Sequence, residues 1–330
     1  MKPNPDQLLL LVDGHVVVFR AWFAVRDHVI TSGGQITSGV SGFMTMLLKV
    51  IREHNPTHIA VTFDTKAPTF REEMYPEYKA HRQEVDPALH EQIPIVKEIL
   101  APMGIPVYEY DGFEADDLIG TLSKQATNQG LSTLIMTADT GQLQLVDENV
   151  SVLMYSDWDD VWYWDGPVGL HAKIYSPEGV AERYNGLGPE YIAEIKALEG
   201  ETSSNIPGVP GIGKKSARTV LAELGHFPSL FNNLSEVERI EELRGAKRAM
   251  NLLKEHRDDA KFYLSLTEID RNVPIDFDAE QSKFGRFDRD AVLKILLNYE
   301  LRLVADRLPQ SEVDRIKPKE PNNLRPGKLP

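Results

Sequence analysis

Three short, mainly apolar runs, each closed by an aspartate, constrain the fold of this chain more than any other feature of its sequence. The runs and the aspartates that follow them are residues 8–12 with Asp13, residues 59–63 with Asp64, and residues 134–138 with Asp139. Unbroken apolar runs of this length predict strands that are buried on both faces of a parallel sheet. Because the carboxyl ends of parallel strands share one edge of the sheet, we expect the three aspartates to meet there.

The segments between these runs have the spacing of helices. In residues 38–54 and 114–125 apolar side chains recur every three to four positions, which predicts amphipathic helices. The resulting order, β-α-β-α-β, predicts an open α/β sheet whose ligands bind beyond the carboxyl ends of the strands. After residue 306 the chain becomes polar and rich in proline, which predicts a linker or flexible tail.

Composition and charge narrow the classes of function. The chain has 330 residues, of which 42% are hydrophobic, enough for one large or two medium domains. Its net charge of −14 argues against a general nucleic-acid coat protein, which would need a broad positive surface. The absence of cysteine excludes thiolate nucleophiles, cysteine-bound zinc and iron–sulfur clusters. Because no apolar run approaches the roughly 18 residues of a membrane span, we expect a cytoplasmic protein.

Three further acids, Glu114, Asp116 and Asp117, stand at the start of the second predicted helix. Acids are common there because the helix dipole favours them, and single aspartates after strands are common in turns. Six carboxylates in one cleft would nevertheless repel one another unless a cation neutralised them. An all-oxygen ligand set favours Mg²⁺ or Mn²⁺, and pairs of such ions are a common means of hydrolysing phosphodiesters. The sequence therefore supports the hypothesis of a metal-dependent nuclease.

Basic and aromatic residues cluster between the second strand and this acidic helix, at Phe70-Arg71 and at residues 78–82. Lys79 and Arg82 are three positions apart and would face one phosphate if the segment were helical, although a solvated helix face is the commoner outcome of such a pair.

A second basic site follows the glycine-rich residues 206–213. Its exposed backbone amides and the lysines at positions 214 and 215 suit phosphate binding, as in a helix-hairpin-helix that holds a DNA backbone. The alternative is a plain turn between two helices, without a binding role. A nucleotide-binding P-loop is disfavoured, because Lys215 stands where Ser or Thr should hold Mg²⁺.

Taken together, the motifs resemble the 5′ nuclease domain of bacterial DNA polymerase I, in the flap endonuclease family. The resemblance covers residues 7–305 and implies a PIN-like α/β parallel-sheet core with a helical arch and a helix–three-turn–helix. It implies a nuclease core in residues 1–180, which includes the arch in about 66–110. A helical region follows in residues 181–305 and contains the helix–three-turn–helix in about 200–225, and residues 306–330 form a tail. The motifs are Leu11-Val12-Asp13-Gly14, Phe63-Asp64, Phe70-Arg71, Tyr78-Lys79-Ala80-His81-Arg82, Glu114-Ala115-Asp116-Asp117, and residues 205–213.

The resemblance also implies an activity: a structure-specific 5′-3′ exonuclease and flap endonuclease that uses Mg²⁺ or Mn²⁺ in DNA replication and repair. Its expected substrates are DNA 5′ flaps, 5′ ends and single-strand/duplex junctions, and its expected protein partner is a polymerase domain or a separate polymerase. The resemblance also implies a nucleoid-associated location and a K⁺ ion at the helix–three-turn–helix. The implied catalytic residues are Asp13, Asp116, Lys79 and Arg82. The implied first-metal ligands are Asp13, Asp64, Glu114, Asp116 and Asp117. The implied DNA-binding residues are Arg20, Arg71, Tyr78, Gly208, Gly211, Gly213, Lys214, Lys215 and Arg218.

The chain departs from the family pattern at the residues implied to hold a second metal ion. Asp139 is retained, whereas Gly141 and Ser204 stand at positions where the family has aspartates, and Glu201 replaces a third. These departures predict an intact first metal site and a weak or absent second one, to which Asp139 and Glu201 contribute. Two functions follow as alternatives: a divergent flap endonuclease, or a structure-specific DNA-binding protein with weakened catalysis.

The family pattern does not predict one aromatic cluster, whose members suit either surface packing or stacking on DNA bases. They are Trp158, Trp162, Tyr163 and Trp164.

Overall fold

The computed structural model of the chain describes residues 7–24, 28–82, 85–156 and 171–312. The aromatic cluster at residues 158–164 and most of the predicted tail, residues 313–330, lie outside the described residues. The interpretations of those two segments therefore stay predictions.

In the described part of the chain, six strands form one sheet. The strands are β1 (Leu8–Asp13), β2 (His58–Thr62), β3 (Val107–Tyr108), β4 (Ser132–Thr137), β5 (Val150–Ser156) and β6 (His171–Tyr175). They stand in the order β3-β2-β1-β4-β5-β6, and each neighbouring pair is parallel except β5 with β6. The three predicted strands are β1, β2 and β4, so β1 lies between the other two.

The same described ranges contain helices that pack on the sheet and helices that pack mainly on one another. They are α1 (Gly14–Phe23), α2 (Ser38–His54), α3 (Phe70–Met74), α4 (Pro87–His90), α5 (Gln92–Leu100), α6 (Ala115–Asn128), α7 (Pro177–Arg183), α8 (Ile192–Glu199), α9 (Lys214–Leu224), α10 (Phe227–Asn232), α11 (Ala246–Glu255), α12 (Arg257–Thr267), α13 (Arg289–Asn298) and α14 (Arg302–Ala305).

Apolar layers on both faces explain why the central strands carry no polar alternation. Leu9 and Leu11 of β1 pack in a buried cluster with α6, whereas Leu10 and Val12 pack in a second cluster with α1, α2 and α5. All four side chains are fully buried. The predicted α/β fold with a mainly parallel sheet is confirmed, and α2 has the bounds that the apolar spacing predicts.

Part of the segment predicted as a helical arch, about residues 66–110, packs on the sheet. Residues 92–100 form α5, whose Val96 and Ile99 are buried in the same cluster as Val12, and β3 extends the sheet beside β2. These residues belong to the α/β core because their apolar side chains recur at helical spacing and pack on the sheet. The arch itself stays a prediction, with α5 and β3 packed on the core.

The C-terminal boundaries also differ from the prediction. Val292 of α13 and Val304 of α14 share the buried cluster of Val12, so this end of the chain returns to the α/β core. The tail does not begin at residue 306, because Ser311 is buried and its hydroxyl donates a hydrogen bond to the Phe287 carbonyl at 2.7 Å. Packing against the core therefore continues to the last described residues.

Among the described helices, none combines the length and the apolar composition that crossing a membrane requires.

Candidate active site

The strand ends bring the predicted acids to one edge of the sheet. β1 pairs Asp13 with Thr62 and Val12 with Met136, so the chain leaves β1, β2 and β4 at adjacent points. The first turn of α6 adds its acids from the side. A cleft of about 550 Å³ opens here. Its charged lining consists of Asp13, Asp64, Glu114, Asp116 and Asp139 with Arg20, Lys79 and Arg82.

Asp13 is deeply enclosed in this cleft, with 1% of its surface exposed. It caps α1, accepting a hydrogen bond from the Val16 amide at 3.3 Å, and it accepts a second from the Thr137 hydroxyl at 2.8 Å. Burial, and after it the negative charge of Asp64, raises the pKa of Asp13 to about 7. Two hydrogen bonds therefore fix the carboxylate in place, although its surroundings disfavour the ionised form.

Asp64 holds α6 against the sheet and contacts a histidine. Its Oδ1 accepts the Ala115 amide at 2.8 Å, and its Oδ2 lies 3.4 Å from His15 Nδ1. The backbone amide of Asp64 donates to the same Nδ1 at 3.1 Å, so that nitrogen is an acceptor and the ring is neutral. Burial lowers the pKa of His15, which favours this neutral form.

Asp116 and Asp139 complete the cleft. The Gln142 amide donates to Asp116 Oδ1 at 2.7 Å, and Asp139 Oδ1 accepts the Gly141 amide at 2.6 Å. Burial raises the pKa of Asp116 well above its ordinary value, and the charges of Asp139, Asp13 and Glu114 add to the effect.

Burial first, and neighbouring negative charge second, raise the pKa values of Asp13 and Asp116, and a bound cation would favour the ionised form of both. The donors are all oxygens, which suits Mg²⁺ or Mn²⁺. Among the described residues, no three acidic or imidazole side chains converge closely enough to form a ready-made metal site. Mg²⁺ usually keeps several of its water ligands and so does not require three side chains in direct contact.

Glu114 differs from the other acids because cations surround it. Its carboxylate pairs with the Lys79 ammonium, accepts the Tyr78 hydroxyl at 2.9 Å and lies 3.4 Å from Arg71 Nη1. Burial alone would raise the pKa of Glu114, but Lys79 and Arg71 outweigh it and hold the pKa below its usual value. Glu114 is thus ionised and already paired, and Tyr78 supports it from a buried position rather than from an exposed DNA-binding surface.

Lys79 and Arg82 lie on a turn, not on the helix that their spacing suggested. The Lys79 backbone has a φ of 55°, and its amide donates to the Ser204 carbonyl at 3.0 Å. Arg82 Nε donates to the Ser203 carbonyl at 3.1 Å. Contacts with this distant loop hold the turn so that both cations line the cleft.

Arg71 and Asp117 form a buried ion pair behind the cleft. Arg71 Nη1 and Nη2 lie 2.6 and 2.8 Å from the two carboxylate oxygens of Asp117, and Arg71 also donates to the carbonyls of Leu266 and Glu268. Arg71 is 2% and Asp117 0% exposed. The resemblance implies that Arg71 binds DNA and that Asp117 is a first-metal ligand; in this structure both are buried, and both tie the α/β core to the loop after α12.

The residues implied for a second metal line a separate cavity of about 40 Å³, together with Asp116. Glu201 pairs there with the Lys196 ammonium and accepts the Ser203 hydroxyl at 2.8 Å. Burial alone would lower the pKa of Lys196, but the charges of Asp139 and Glu201 outweigh it and raise the pKa. Because Gly141 and Ser204 bring no carboxylate and Glu201 already has a cation, this donor set does not fit a second divalent ion.

The glycine-rich turn divides into packed and exposed residues. Gly208 is buried with a φ of 69°, and a Cβ there would collide with the Gly200 nitrogen, so this glycine serves packing rather than DNA contact. Gly211, Gly213, Lys214 and Lys215 are exposed at the start of α9. A short turn of residues 202–204, not a strand, precedes Gly208, which agrees with the exclusion of a P-loop.

Arg218 follows on α9 and is engaged within the fold. Its guanidinium stacks over Tyr184 at 4.6 Å and donates to the Arg183 carbonyl. It nevertheless lines a cavity of about 460 Å³ with Lys214 and Lys215.

Sequence reasoning missed several residues of the site. His15 and Phe19 follow Asp13 on α1 and line the cleft, and so does Phe23, which is 66% exposed. These three residues stand four positions apart and so share one face of the helix, a signal that could have found them. Nothing in the sequence pattern pointed to Gln142 or Lys196.

The comparisons with known proteins identify the family of the chain and agree with its fold. The family model described as 5′-3′ exonuclease, N-terminal resolvase-like domain, matches residues 8–185, and that described as 5′-3′ exonuclease, C-terminal SAM fold, matches residues 187–290. In fold, the chain is similar to T5 5′-exonuclease, with a TM-score of 0.61, 19% identity, and coverage of 91% of this chain and 99% of that one. The catalytic core of Rad2 in complex with DNA substrate gives a TM-score of 0.57, 18% identity, and coverage of 93% and 94%.

The chain is similar in sequence to one part of longer proteins. It is 38% identical to DNA polymerase I of Chloroflexus aurantiacus over 294 residues, which cover 89% of this chain and 29% of that protein. It is 38% identical to DNA polymerase I of Mycobacterium tuberculosis over 310 residues, which cover 93% and 32%. The chain thus spans about a third of the length of these relatives. Because the two family models together match most of its length, the chain belongs to the 5′-3′ exonuclease family.

Proposed function

We propose that this chain is a structure-specific 5′ nuclease that hydrolyses DNA phosphodiesters at 5′ flaps and 5′ ends with a divalent metal ion. One observation carries the proposal: five carboxylates share a single cleft with three cationic side chains. An acidic cleft alone would repel DNA, and a basic cleft alone would bind it without chemistry. The combination suits a site that holds a metal ion and a phosphate together.

Asp13, Asp64, Asp116 and Asp139 are the residues that would hold Mg²⁺ or Mn²⁺, with Glu114 beside them. When bound, the ion would supply Lewis-acid activation of the attacking water and of the scissile phosphate. The protein prepares the site by fixing Asp13 and Asp116 through hydrogen bonds from Thr137 and Gln142. These bonds orient the carboxylates before the ion arrives.

Lys79, Arg82 and Arg20 would neutralise the phosphate as charge develops on it. Lys79 is restrained by its pairing with Glu114 and by the hydrogen bond of its amide to Ser204, so little freedom is lost when it acts. A cation held in advance stabilises a developing negative charge better than one that must be reoriented.

The apolar wall of the same cleft would receive the nucleotide beside the scissile phosphate. Phe19 and Phe23 lie on α1 and Val85 on the opposite segment, all lining the cleft. Aromatic side chains bind single-stranded bases by stacking without reading their sequence. This arrangement suits recognition of a DNA end by structure rather than by sequence.

The exposed Lys214 and Lys215 support a role for the helix–three-turn–helix in binding the DNA backbone. K⁺ at this turn, implied by the resemblance, remains part of the proposal. The length of the DNA polymerase I relatives beyond the matched region supports the pairing of this nuclease with a polymerase in replication and repair.

The deciding experiment is the release of a labelled 5′ flap from a DNA junction over a titration of Mg²⁺ and of Mn²⁺. We expect metal-dependent cleavage by the wild-type chain. In Lys79→Met we expect the rate at saturating metal to fall about a hundredfold, as for the loss of one preorganised charge, with flap affinity nearly unchanged. If the wild-type chain binds the flap and cuts nothing at any metal concentration, the chain is a structure-specific DNA-binding protein instead.

A further inference from the structure

Lys196 is a buried lysine that the proposed reaction does not use. It lies on α8 with 8% of its surface exposed and lines the 40 Å³ cavity beside the catalytic cleft. Lysine is rarely buried without a partner, because an ammonium loses strong hydration when it leaves water. Its position therefore requires nearby negative charge.

Two carboxylates supply that charge. The Lys196 ammonium pairs with Glu201, and Asp139 lines the same cavity. Asp139 also lines the catalytic cleft, so the ammonium stands next to an acid of the proposed metal site. The Ser203 hydroxyl donates to Glu201 at 2.8 Å and fixes the other side of the pair.

We propose that the Lys196 ammonium is a built-in positive charge that takes the place of a second divalent ion, so that the site binds one divalent ion per chain. The inference rests on the proposed function, because it assumes that the cleft beside Asp139 holds a metal. Lys196 does not contact the reacting atoms in this proposal. Its charge neutralises Asp139 and Glu201, and this limits the number of divalent ions that the site binds.

The physical argument is one of local charge. A divalent ion at this cavity would have to approach the ammonium within a few ångströms, and the repulsion between them is large in a partly buried site. Neither Gly141 nor Ser204 adds a carboxylate that could offset that repulsion, and the two further acids of the cavity lining are shared with the cleft, Asp116 with the proposed metal site and Glu114 with Lys79. With the ammonium removed, Asp139 and Glu201 become two unpaired carboxylates, a pair that attracts a divalent cation.

Calorimetric titration of the full chain with Mn²⁺, without DNA, tests this inference, and electron paramagnetic resonance of free Mn²⁺ counts the bound ions independently. We expect one bound ion in the wild-type chain and two in Lys196→Met. Lys196→Arg keeps the charge and should bind one ion. Lys283→Met removes an exposed lysine paired with Glu280 and serves as the matched control, with one ion bound.

A second variant decides the question if Lys196→Met fails to fold. Glu201→Gln leaves the ammonium without its carboxylate, so Mn²⁺ should bind to the cleft at least about threefold more weakly through charge repulsion.

The outcomes separate the two proposals. Two ions in the wild-type chain, one ion in a folded Lys196→Met, or an unchanged Mn²⁺ affinity in Glu201→Gln would overturn the role of Lys196 and leave the nuclease proposal standing. Absence of any Mn²⁺ binding would overturn both.

Discussion

Two lysine–glutamate pairs flank the same acids and have different consequences. The Lys79–Glu114 pair stands in the open cleft, where Asp13 and Asp64 add further negative charge. The Lys196–Glu201 pair stands in the small neighbouring cavity, where Gly141 adds none. Lys79 thus neutralises one of the five acids that line the cleft, whereas Lys196 neutralises Glu201, the one acid of the described cavity lining that does not also line the cleft. We therefore expect the net charge around a group of acids, and not the number of acids alone, to decide where a metal ion binds.

The largest effect is expected from neutralising an acid on the cleft side. Asp13→Asn keeps the shape of the side chain but removes charge from the proposed metal site, so flap cleavage should fall more than about a hundredfold, beyond the loss typical for residues that only support a ligand. The same variant should raise the melting temperature of the metal-free chain, because it relieves repulsion. Asp276→Asn, at an exposed position, is the matched control. Cleavage within tenfold of the wild type would show that Asp13 is not part of the reacting site.

The next effect concerns the buried support behind Glu114. Arg71→Met leaves Asp117 charged and unpaired in the interior, which should lower the free energy of unfolding by about 3–5 kcal/mol. The control Arg239→Met breaks an exposed pair with Glu236 and should cost at most about 1 kcal/mol. Urea unfolding measures both. A stable Arg71→Met that instead loses DNA affinity would restore the DNA-binding interpretation of Arg71.

A pH dependence of comparable size is expected in the metal-free chain. The folded-state pKa of Asp13 is about 7, above its value of 3.8 in an unfolded chain. Between these values the folded state binds more protons than the unfolded state, so stability should fall as pH rises from about 4 to about 7. Saturating Mn²⁺ or Asp13→Asn should flatten this slope. Thermal unfolding across the pH range measures it, and an equal slope in Asp13→Asn would assign the dependence to other groups.

The sequence was sufficient for three neighbouring strands of the sheet, β1, β2 and β4, and for most of the acids of the cleft. Unbroken apolar runs identify buried parallel strands, and the rule that such strands end at one edge brings Asp13, Asp64 and Asp139 together. The weak or absent second metal site could also be predicted from the sequence, because Gly141 and Ser204 have no carboxylate with which to bind an ion.

The pairings within the site could not be predicted in the same way. Arg71 and Asp117 are 46 positions apart, and only the packed structure decides that the arginine turns inward to meet the aspartate. Lys196 looks like an ordinary polar position of an amphipathic helix until the loop of Glu201 folds over it. Strand β3 is two residues long, too short for a periodic signal.

Anomalous scattering from crystals of the wild-type chain grown with saturating Mn²⁺ tests the account most directly. We expect one strong Mn²⁺ peak among Asp13, Asp64, Asp116 and Asp139, and no peak between Asp139 and Glu201, where the Lys196 ammonium lies. An empty cleft, or a manganese ion bound to Glu201, would contradict the account.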